Sequence, residues 1–430
     1  MDEERQSCYL IGHSMHIGFF TDGFTPQLHG VATNLEALTD ALEGRGDQVS
    51  LFAPRMGDYV DRRPGVYRLA SVRAVRQPPL WLSIPVSRRV LRHVPRLGLD
   101  VVHTHSPFTA QWLALQATWR ARVPLVSTYH TLLPAYVKTV KLLGRFVVPP
   151  GLAEAYSAWT CNACDHVIAP SAKTKALLEQ FGVRRPISVI ANGIELARFQ
   201  GGARGYLRDR WGLRPTDRIL LSVGRLTPEK NVGFLLAMLA RLSPRAANVY
   251  LVLVGEGFLR KSLECDAQRL GIRRQVIFCG AVPHAEMSQV YADADVYLTA
   301  SFSETFGLAT LEALASGLPI VGVRDASLDG MLVDGANGFA VEPDAGAFAA
   351  RLEQVLGDPS LLAQMRVRSG EIALNFSVQA QAQQLLNLYG CVVEQKKSGR
   401  SAVRGMPPAV EALRSAAFLA KRSETPGPLR

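Results

Sequence analysis

The stretch SFSETFGLATLEALASG, residues 301–317, decides how the second half of this chain is expected to fold. The residues before it, 294–299, are largely apolar and β-prone without helical spacing, which predicts a buried strand. After Gly307 the apolar residues recur at helical spacing until Gly317 and Pro319, which are typical of a helix end. The stretch therefore predicts a strand, a tight loop and a helix. In open α/β sheets, ligands bind beyond the carboxyl ends of such strands.

Backbone amides and carboxylates meet around the predicted start of this helix. The amides of Phe306, Gly307 and Leu308 would lack partners inside the helix, and such donors suit an anion such as a diphosphate. Glu304 and Glu312 flank these amides. A carboxylate beside a phosphate is unfavourable because both are negatively charged, so these carboxylates are expected to bind another group. Accepting hydrogen bonds from sugar hydroxyls is a task that carboxylates perform in dinucleotide-binding folds. The simpler alternative is a solvated Glu304 in a loop and a Glu312 on the helix surface.

A similar strand, loop and helix opens the chain. Residues 15–20 are mostly apolar, a loop with two glycines follows, and 31–42 carries apolar residues at helical spacing. Gly30, at the start of this helix, would allow the backbone to approach a phosphate closely. The loop has no GxGxxG pattern, so the sequence does not favour a dehydrogenase.

Histidines follow two further predicted strands, at 100–104 and 125–128. His103 and His105 are two residues apart and should face the same side, and His130 follows the next strand. Histidines hydrogen bonded within the core are the simple alternative. A metal site would need a further ligand, and the sequence offers no convincing carboxylate nearby.

Two cations lie in the loop between a predicted strand at 218–223 and a predicted helix at 232–242. Arg225 and Lys230 could neutralise the charge that develops on a leaving diphosphate. The alternative is a charged surface turn.

Length and composition predict a globular protein with roughly two domains. The chain has 430 residues, 48% of them apolar, and a net charge of +11, which favours anionic partners. The cysteines lack the spacing of a zinc site, and reduced, packed thiols are expected. The acidic N-terminus predicts no signal peptide, and no apolar run is long enough to span a membrane.

Basic amphipathic segments lie at 80–97 and 136–152. Segments of this kind can lie in an anionic membrane interface. The alternative is a surface helix that packs its apolar stripe on the core.

The Glu304-x7-Glu312 spacing with PheGlyLeu between, together with the GlyArg and GluLys pairs of residues 224–230, resembles the retaining glycosyltransferases of the GT-B fold. The resemblance is to glycosyltransferase family 4, also called glycosyl transferases group 1, and runs from about 15 to 390. It implies an α/β protein with two Rossmann-like, doubly wound domains facing a cleft. The first would bind the acceptor and the second a nucleoside-diphosphate sugar.

Domain boundaries are expected from this resemblance and from the glycine-rich stretch near residue 201. The expected parts are an acceptor-binding domain, a nucleotide-sugar-binding domain, a helix returning to the first domain and a basic tail, at 1–200, 201–375, 376–395 and 396–430.

The resemblance also implies roles for the residues singled out above. Arg225, Lys230 and the amides of 306–308 would stabilise the diphosphate, Glu304 would bind the sugar hydroxyls and Glu312 the ribose. Backbone near Val282 would hold the base, Gly30 would lie against the diphosphate, and His105 would contact the transferred sugar.

The mechanism implied is attack on the same face as the leaving group, whose phosphate takes the acceptor proton. No cofactor or metal is expected, since fixed cations would take the place of a magnesium ion. Asp293 and Asp295 lie at a strand start, away from the expected phosphate site, and are not expected to bind a metal.

The acceptor is predicted from residues 21–34, which resemble those of bacterial diacylglycerol glucosyl- and sulfoquinovosyltransferases. This implies transfer of a hexose, from UDP-glucose or a similar donor, to a membrane lipid at the cytoplasmic face. A soluble sugar or polysaccharide acceptor is the alternative. From other classes, an epimerase would not explain the paired motifs, and a nucleic-acid-binding protein would need patterns that the chain lacks.

Overall fold

The computed structural model describes residues 14–26, 30–75, 80–85, 88–134, 150–242 and 247–399. The chain separates into two compact units. Unit 1 comprises Met1–Ala191 and Gln381–Arg430, and unit 2 comprises Asn192–Ala380. The division after Ala191 precedes the boundary expected at 200, and the chain re-enters unit 1 within its last described helix.

Unit 1 is built on a parallel sheet. Within the described ranges its strands lie in the order β3-β2-β1-β6-β7-β8-β9. Buried apolar residues dominate the central strands, as expected of a parallel sheet covered on both faces. The strands are β1 (His16–Phe20), β2 (Gln48–Pro54), β3 (Val66–Leu69), β6 (Val101–Thr104), β7 (Leu125–Thr128), β8 (His166–Ala169) and β9 (Ile187–Val189).

A hairpin, β4 (Ser71–Val75) and β5 (Leu80–Ser83), pairs antiparallel outside this sheet. Val72 and Ile84 are exposed, and they lie on the same face of the hairpin because Ser71 is opposite Ser83 in its register.

Helices connect the strands of unit 1. The N-terminus of α5 is capped by Ser171, whose hydroxyl accepts a hydrogen bond from the Thr174 amide at 3.2 Å. The start of α3 is capped by Asp22, which accepts hydrogen bonds from the Thr109 hydroxyl at 2.6 Å and the Ala110 amide at 3.1 Å. These helices are α1 (Gly30–Glu43), α2 (Arg88–Leu97), α3 (Thr109–Ala121), α4 (Pro150–Asn162) and α5 (Ala172–Gln180).

Unit 2 has its own parallel sheet, with the described strands in the order β12-β11-β10-β13-β14-β15. Its strands are β10 (Arg218–Val223), β11 (Val249–Val254), β12 (Val276–Gly280), β13 (Val296–Thr299), β14 (Ile320–Val323) and β15 (Gly338–Val341).

Helices of unit 2 pack on this sheet around a continuous apolar core that includes Leu220, Leu235 and Phe348. The helices are α6 (Tyr206–Trp211), α7 (Val232–Leu242), α8 (Arg260–Arg269), α9 (Met287–Asp293), α10 (Leu308–Ala315), α11 (Ala345–Gly357) and α12 (Pro359–Ala373). Single 3₁₀ turns occur at Leu196–Arg198, Pro228–Lys230, Arg273–Gln275, His284–Glu286, Ala326–Leu328 and Leu374–Phe376.

The last helix, α13 (Val378–Lys397), begins in unit 2 and belongs to unit 1 from Gln381 onward. Its Tyr389 is fully buried, and the Asn34 side-chain amide of α1 donates to the Gln381 side chain at 2.9 Å. The helix ends two residues beyond the expected segment 376–395.

Each sheet has one point where the strand order reverses direction. In unit 1 this lies between β1 and β6, and in unit 2 between β10 and β13. Open α/β sheets bind ligands in the crevice at such switch points, outside the carboxyl ends of the strands. The residues to consider for function are therefore those that follow these four strands.

The predicted strands and helices are confirmed with small shifts at their ends. In the segment 80–97, the apolar stripe of α2 packs on the core, which was the alternative to a membrane-facing stripe. Val90 and Val94 of α2 are buried in the core of unit 1, so this apolar face packs on the protein. Most of the segment 136–152 lies outside the described residues, as do 1–13 and the tail from 400. In the part of the chain that the structure describes, no helix is long and apolar enough to cross a membrane.

Candidate active site

The loops after β10 and β13 lie side by side because these strands are neighbours, with Leu220 paired to Val296. The two loops are also hydrogen bonded to each other. The carbonyl oxygen of Glu229 accepts hydrogen bonds from the Ser301 hydroxyl at 3.1 Å and from the Phe302 amide at 3.3 Å. The segments 224–231 and 300–307 therefore form one surface at the switch point of unit 2.

Lys230 and Glu304, one from each loop, form an ion pair. The Ser301 hydroxyl also donates to Glu304 Oε1 at 2.9 Å. The Lys230 side chain passes over Gly224, where an added Cβ would lie 3.1 Å from Lys230 Cε. Both charged side chains are 24% exposed, so they are held in place while still reached by solvent.

Arg225 lies on the rim of this surface. Its side chain is 54% exposed and is 3.4 Å from the Glu229 carboxylate, which also accepts a hydrogen bond from the Thr227 hydroxyl at 2.6 Å. The guanidinium is therefore less fixed than the Lys230 ammonium.

The N-terminus of α10 follows the loop after β13. Gly307 is its N-cap, with a φ of +82° that favours glycine. Among the described residues, none accepts a hydrogen bond from the amides of Phe306, Gly307 and Leu308. These donors and the helix dipole together suit an anionic group.

Glu312, one turn further along α10, is held by two side chains that the sequence did not single out. Its carboxylate accepts a hydrogen bond from the Tyr291 hydroxyl at 2.7 Å, and the other oxygen lies 3.1 Å from His284 Nε2. Burial, with the neighbouring carboxylate, raises the pKa of Tyr291 well above its ordinary value, so the hydroxyl remains a donor.

Glycines at the ends of β10, β11 and β12 allow their loops to pack closely. An added Cβ on Gly255 would lie 2.0 Å from the carbonyl oxygen of Gly224, and one on Gly257 would lie 2.2 Å from that of Leu226. Val282 follows β12 in the next loop and is half-buried, so its backbone borders the same edge of the sheet.

The histidines of unit 1 come together as predicted. The rings of His103 and His105 lie 3.9 Å apart between centroids, and His105 Nδ1 is 3.1 Å from His130 Nε2. His105 is buried, and its Nε2 has no hydrogen-bond partner among the described residues. Burial lowers the pKa of His105 well below its ordinary value, and electrostatic repulsion from the nearby histidines lowers it further. The imidazole of His105 is therefore neutral.

Gly30 is the exposed first residue of α1, and residues 27–29 before it lie outside the described ranges. Within those ranges, no group of three or more His, Cys, Asp or Glu side chains is placed to hold a metal ion. Asp293 and Asp295 accept hydrogen bonds from backbone amides, that of Leu207 at 2.6 Å and that of Ile219 at 2.9 Å, and so serve the fold of unit 2.

Two family models match the chain. One, described as glycosyl transferases group 1, covers residues 204–372, and the other, glycosyltransferase family 4, covers 28–198. Alpha-monoglucosyldiacylglycerol synthase from Streptococcus pneumoniae is 30% identical over 355 residues, which are 81% of this chain and 80% of the relative. The chain belongs to the glycosyl transferases group 1 family.

Membership of this family makes the protein a glycosyltransferase. D-inositol 3-phosphate glycosyltransferase from Nocardia farcinica is 34% identical over 332 residues, covering 74% of this chain and 72% of that protein. HepE from Anabaena, solved in complex with UDP, superposes with a TM-score of 0.68 at 21% identity, covering 88% of this chain and all of HepE. The two Rossmann-like units are those of the GT-B fold, as the sequence predicted.

Within this glycosyltransferase, the structure brings Lys230, Glu304 and the 306–308 amides to one switch point and the histidines to the other unit. The contact of Tyr291 with Glu312 could not be predicted from the sequence, because the spacing of Tyr291 within α9 is that of an ordinary core residue. His284 follows the ValPro pair after β12 and could have been noted only as a polar residue in a loop.

Proposed function

We propose that this protein is a retaining glycosyltransferase that transfers a hexose, glucose from UDP-glucose, to a membrane lipid such as diacylglycerol at the cytoplasmic face of the cell membrane. The observation that carries the proposal is the Lys230–Glu304 ion pair beside the amides of 306–308, for which the described part of the chain offers no acceptor. It sets a cation, a carboxylate and anion-binding donors at one switch point.

The diphosphate of the donor binds the amides of Phe306, Gly307 and Leu308 and the ammonium of Lys230. Charge increases on the leaving phosphate as the sugar departs, and fixed donors stabilise this charge without reorganising. Arg225, exposed on the rim, adds a second cation when its guanidinium turns from Glu229 toward the phosphate.

Glu304 accepts hydrogen bonds from the hydroxyls of the transferred sugar. An ammonium has three donors, so Lys230 can remain bonded to Glu304 while it contacts a phosphate oxygen. The ion pair then links the group that binds the sugar to the group that binds the diphosphate. This linkage holds the bond to be broken in a fixed orientation.

The nucleoside is bound by Glu312 and the backbone near Val282. A carboxylate has about four acceptor positions, and Tyr291 and His284 occupy two of those on Glu312. The remaining positions accept the ribose hydroxyls, and the backbone of Val282 contacts the base. Gly30 lies against the diphosphate.

His105 contributes a neutral imidazole that contacts the transferred hexose. The acceptor hydroxyl attacks the face from which the phosphate leaves, and that phosphate takes the hydroxyl proton. The anomeric configuration is therefore retained.

The lipid acceptor is supported by the relative named as a monoglucosyldiacylglycerol synthase and by the surface of unit 1. Val72 and Ile84 expose apolar side chains on the β4–β5 hairpin, and Arg73, Arg92 and Arg96 are exposed cations on this hairpin and on α2. Apolar side chains with nearby cations suit an anionic lipid surface.

A product assay tests the proposal. The purified protein is incubated with UDP-glucose, UDP-galactose or GDP-mannose, with anionic vesicles that contain or lack diacylglycerol, and products are identified by mass. A glucolipid formed only with diacylglycerol supports the whole proposal. The Glu304→Gln protein under the same conditions is the control for contaminating activity.

A soluble acceptor is the second candidate, favoured by the similarity to the D-inositol 3-phosphate glycosyltransferase. The same assay without vesicles, supplied with D-inositol 3-phosphate, tests it. A soluble product would replace the lipid acceptor and leave the donor site unchanged, whereas no consumption of any donor would overturn the proposal.

A further inference from the structure

Tyr389, on the last helix α13, reaches the histidine cluster of unit 1. Its hydroxyl lies 2.6 Å from His103 Nδ1, and its ring meets the imidazole edge-on, with centroids 5.7 Å apart and an interplanar angle of 74°. Both side chains are fully buried. A residue almost at the end of the described chain is therefore bonded to the first histidine of the His103-Thr-His105 motif.

His103 is held at both ring nitrogens. Its Nε2 lies 2.7 Å from the Thr128 hydroxyl at the end of β7. Burial lowers the pKa of His103 well below its ordinary value, and electrostatic repulsion from His130 adds to this effect. The ring is therefore neutral. A neutral imidazole has one N–H and one lone pair, so one of the two hydroxyls donates and the other accepts. The Tyr389 and Thr128 hydroxyls therefore fix the plane of the ring, and either neutral tautomer can bond to both.

His105 packs against this fixed ring. The two imidazole centroids are 3.9 Å apart, and Phe19 contacts His105 edge-on at 4.9 Å on another side. His130 bonds to Nδ1, which leaves Nε2 as the buried atom without a partner among the described residues. The His103 ring is thus one of the groups that pack against His105, beside Phe19 and His130.

We propose that Tyr389 is a positioning residue for glycosyl transfer: by fixing His103 between two hydroxyls, it orients His105 so that Nε2 meets the transferred hexose. This inference rests on the proposed role of His105. It assigns a role in the reaction to a helix outside the motifs of the family. Tyr389 acts through His103 and does not itself touch the substrate.

The test is Tyr389→Phe, which removes the hydroxyl and keeps the ring. With UDP-glucose and diacylglycerol vesicles, kcat should fall about 5- to 20-fold while KM for UDP-glucose stays unchanged, because a group that acts in the transition state affects kcat rather than donor binding. In a His105→Ala background the same substitution should cause no further loss, since Tyr389 acts only through His105.

Thr128→Val provides a second variant, because it removes the hydroxyl at the other nitrogen with little change in volume. It should reproduce the loss in kcat. The control is Tyr156→Phe, which removes a hydroxyl that donates to the Pro107 carbonyl oxygen at 2.9 Å in the same unit. Its kcat should equal that of the unchanged protein.

An unchanged kcat in Tyr389→Phe, or a full additional loss in the His105→Ala background, would overturn the inference. Imidazole ¹⁵N NMR provides a readout independent of turnover. The His105 ring resonances should shift in Tyr389→Phe and remain unchanged in Tyr156→Phe. If the unchanged protein consumes none of the donors, the proposed function fails, and the NMR comparison still decides whether Tyr389 orients His105.

Discussion

The Lys230 ammonium and the Glu304 carboxylate are bonded across two loops that are 74 residues apart in the chain. A partly exposed ion pair contributes only about 0–1 kcal/mol to stability, because solvent screens it. The pair therefore matters for the placement of two charges at the switch point of unit 2. Replacing either residue should therefore affect the charges of the site more than the stability of the fold.

Replacing Glu304 by Gln should lower turnover about 100-fold or more, because an amide binds the sugar hydroxyls without the negative charge. The melting temperature should change little. Turnover is measured as UDP released from UDP-glucose, with Glu342→Gln as the control, since Glu342 forms an exposed ion pair with Arg324. Normal turnover by Glu304→Gln would remove this residue from the site.

Replacing Lys230 by Ala should weaken UDP binding about 10- to 100-fold, because a fixed cation at the diphosphate is lost. The same change at Arg225 should weaken it about threefold, since that side chain is more exposed and pairs with Glu229. Calorimetric titration with UDP measures both. Equal affinity of the Lys230→Ala protein and the unchanged protein would contradict the diphosphate role.

Replacing Tyr291 by Phe should lower the free energy of unfolding by about 1.5–3 kcal/mol, since a buried hydrogen bond to a carboxylate is removed. It should also weaken UDP binding several-fold because Glu312 loses a partner that orients it. Urea unfolding and calorimetry measure the two effects. Tyr206→Phe is the matched control, because it removes a hydroxyl that donates to Glu286 at 2.7 Å.

Replacing Gly255 by Ala should disrupt the donor site, because the new Cβ would lie 2.0 Å from the Gly224 carbonyl oxygen at a φ of +130°. We expect a loss of at least about 2 kcal/mol in stability together with loss of UDP binding. Gly233→Ala is the control, since Gly233 lies in α7 with no atom within 4 Å of an added Cβ. That change should stabilise the protein by about 0.5–1 kcal/mol. Equal stability of the two variants would show that the β10 and β11 loops need no close approach.

Acid should destabilise the protein through histidines whose pKa values are lowered in the folded state. Burial lowers the pKa of His166 to about 4, and the pKa values of His103 and His105 are also lowered. The unfolded chain then binds protons that the folded chain does not, so the free energy of unfolding falls as pH drops below about 6.5. In urea unfolding, His166→Gln should reduce this slope by about 1 kcal/mol per pH unit near pH 5. Exposed His93→Gln is the control, and an unaltered slope in His166→Gln would contradict the assignment.

Local patterns in the sequence were sufficient to predict the positions of the strands, the helices and the loops that follow them. β7, β10 and α7 lie where the sequence pattern predicted them. The proximity of His103, His105 and His130 also followed from local information, since neighbouring parallel strands end at one edge of a sheet.

Contacts that depend on long-range packing could not be predicted in this way. The sequence could not decide whether the apolar stripe of α2 faces the core or a membrane. A helix that packs on a core and a helix that lies on a membrane have the same apolar periodicity. The bonds from Tyr291 to Glu312 and from Tyr389 to His103 join distant parts of the chain, and nothing near either tyrosine indicates its partner.

The last helix has a consequence for how the protein is made. Asn34, His103 and Asp165 all bond to residues of α13, namely Gln381, Tyr389 and Lys396. During synthesis these three residues of α13 are translated only after the whole of unit 2. Unit 2 is continuous in sequence and can fold as soon as it is complete, whereas unit 1 lacks its final helix until the end of translation. A nascent chain interrupted before residue 381 would leave His103 without the hydroxyl at its Nδ1 and unit 1 without its final helix.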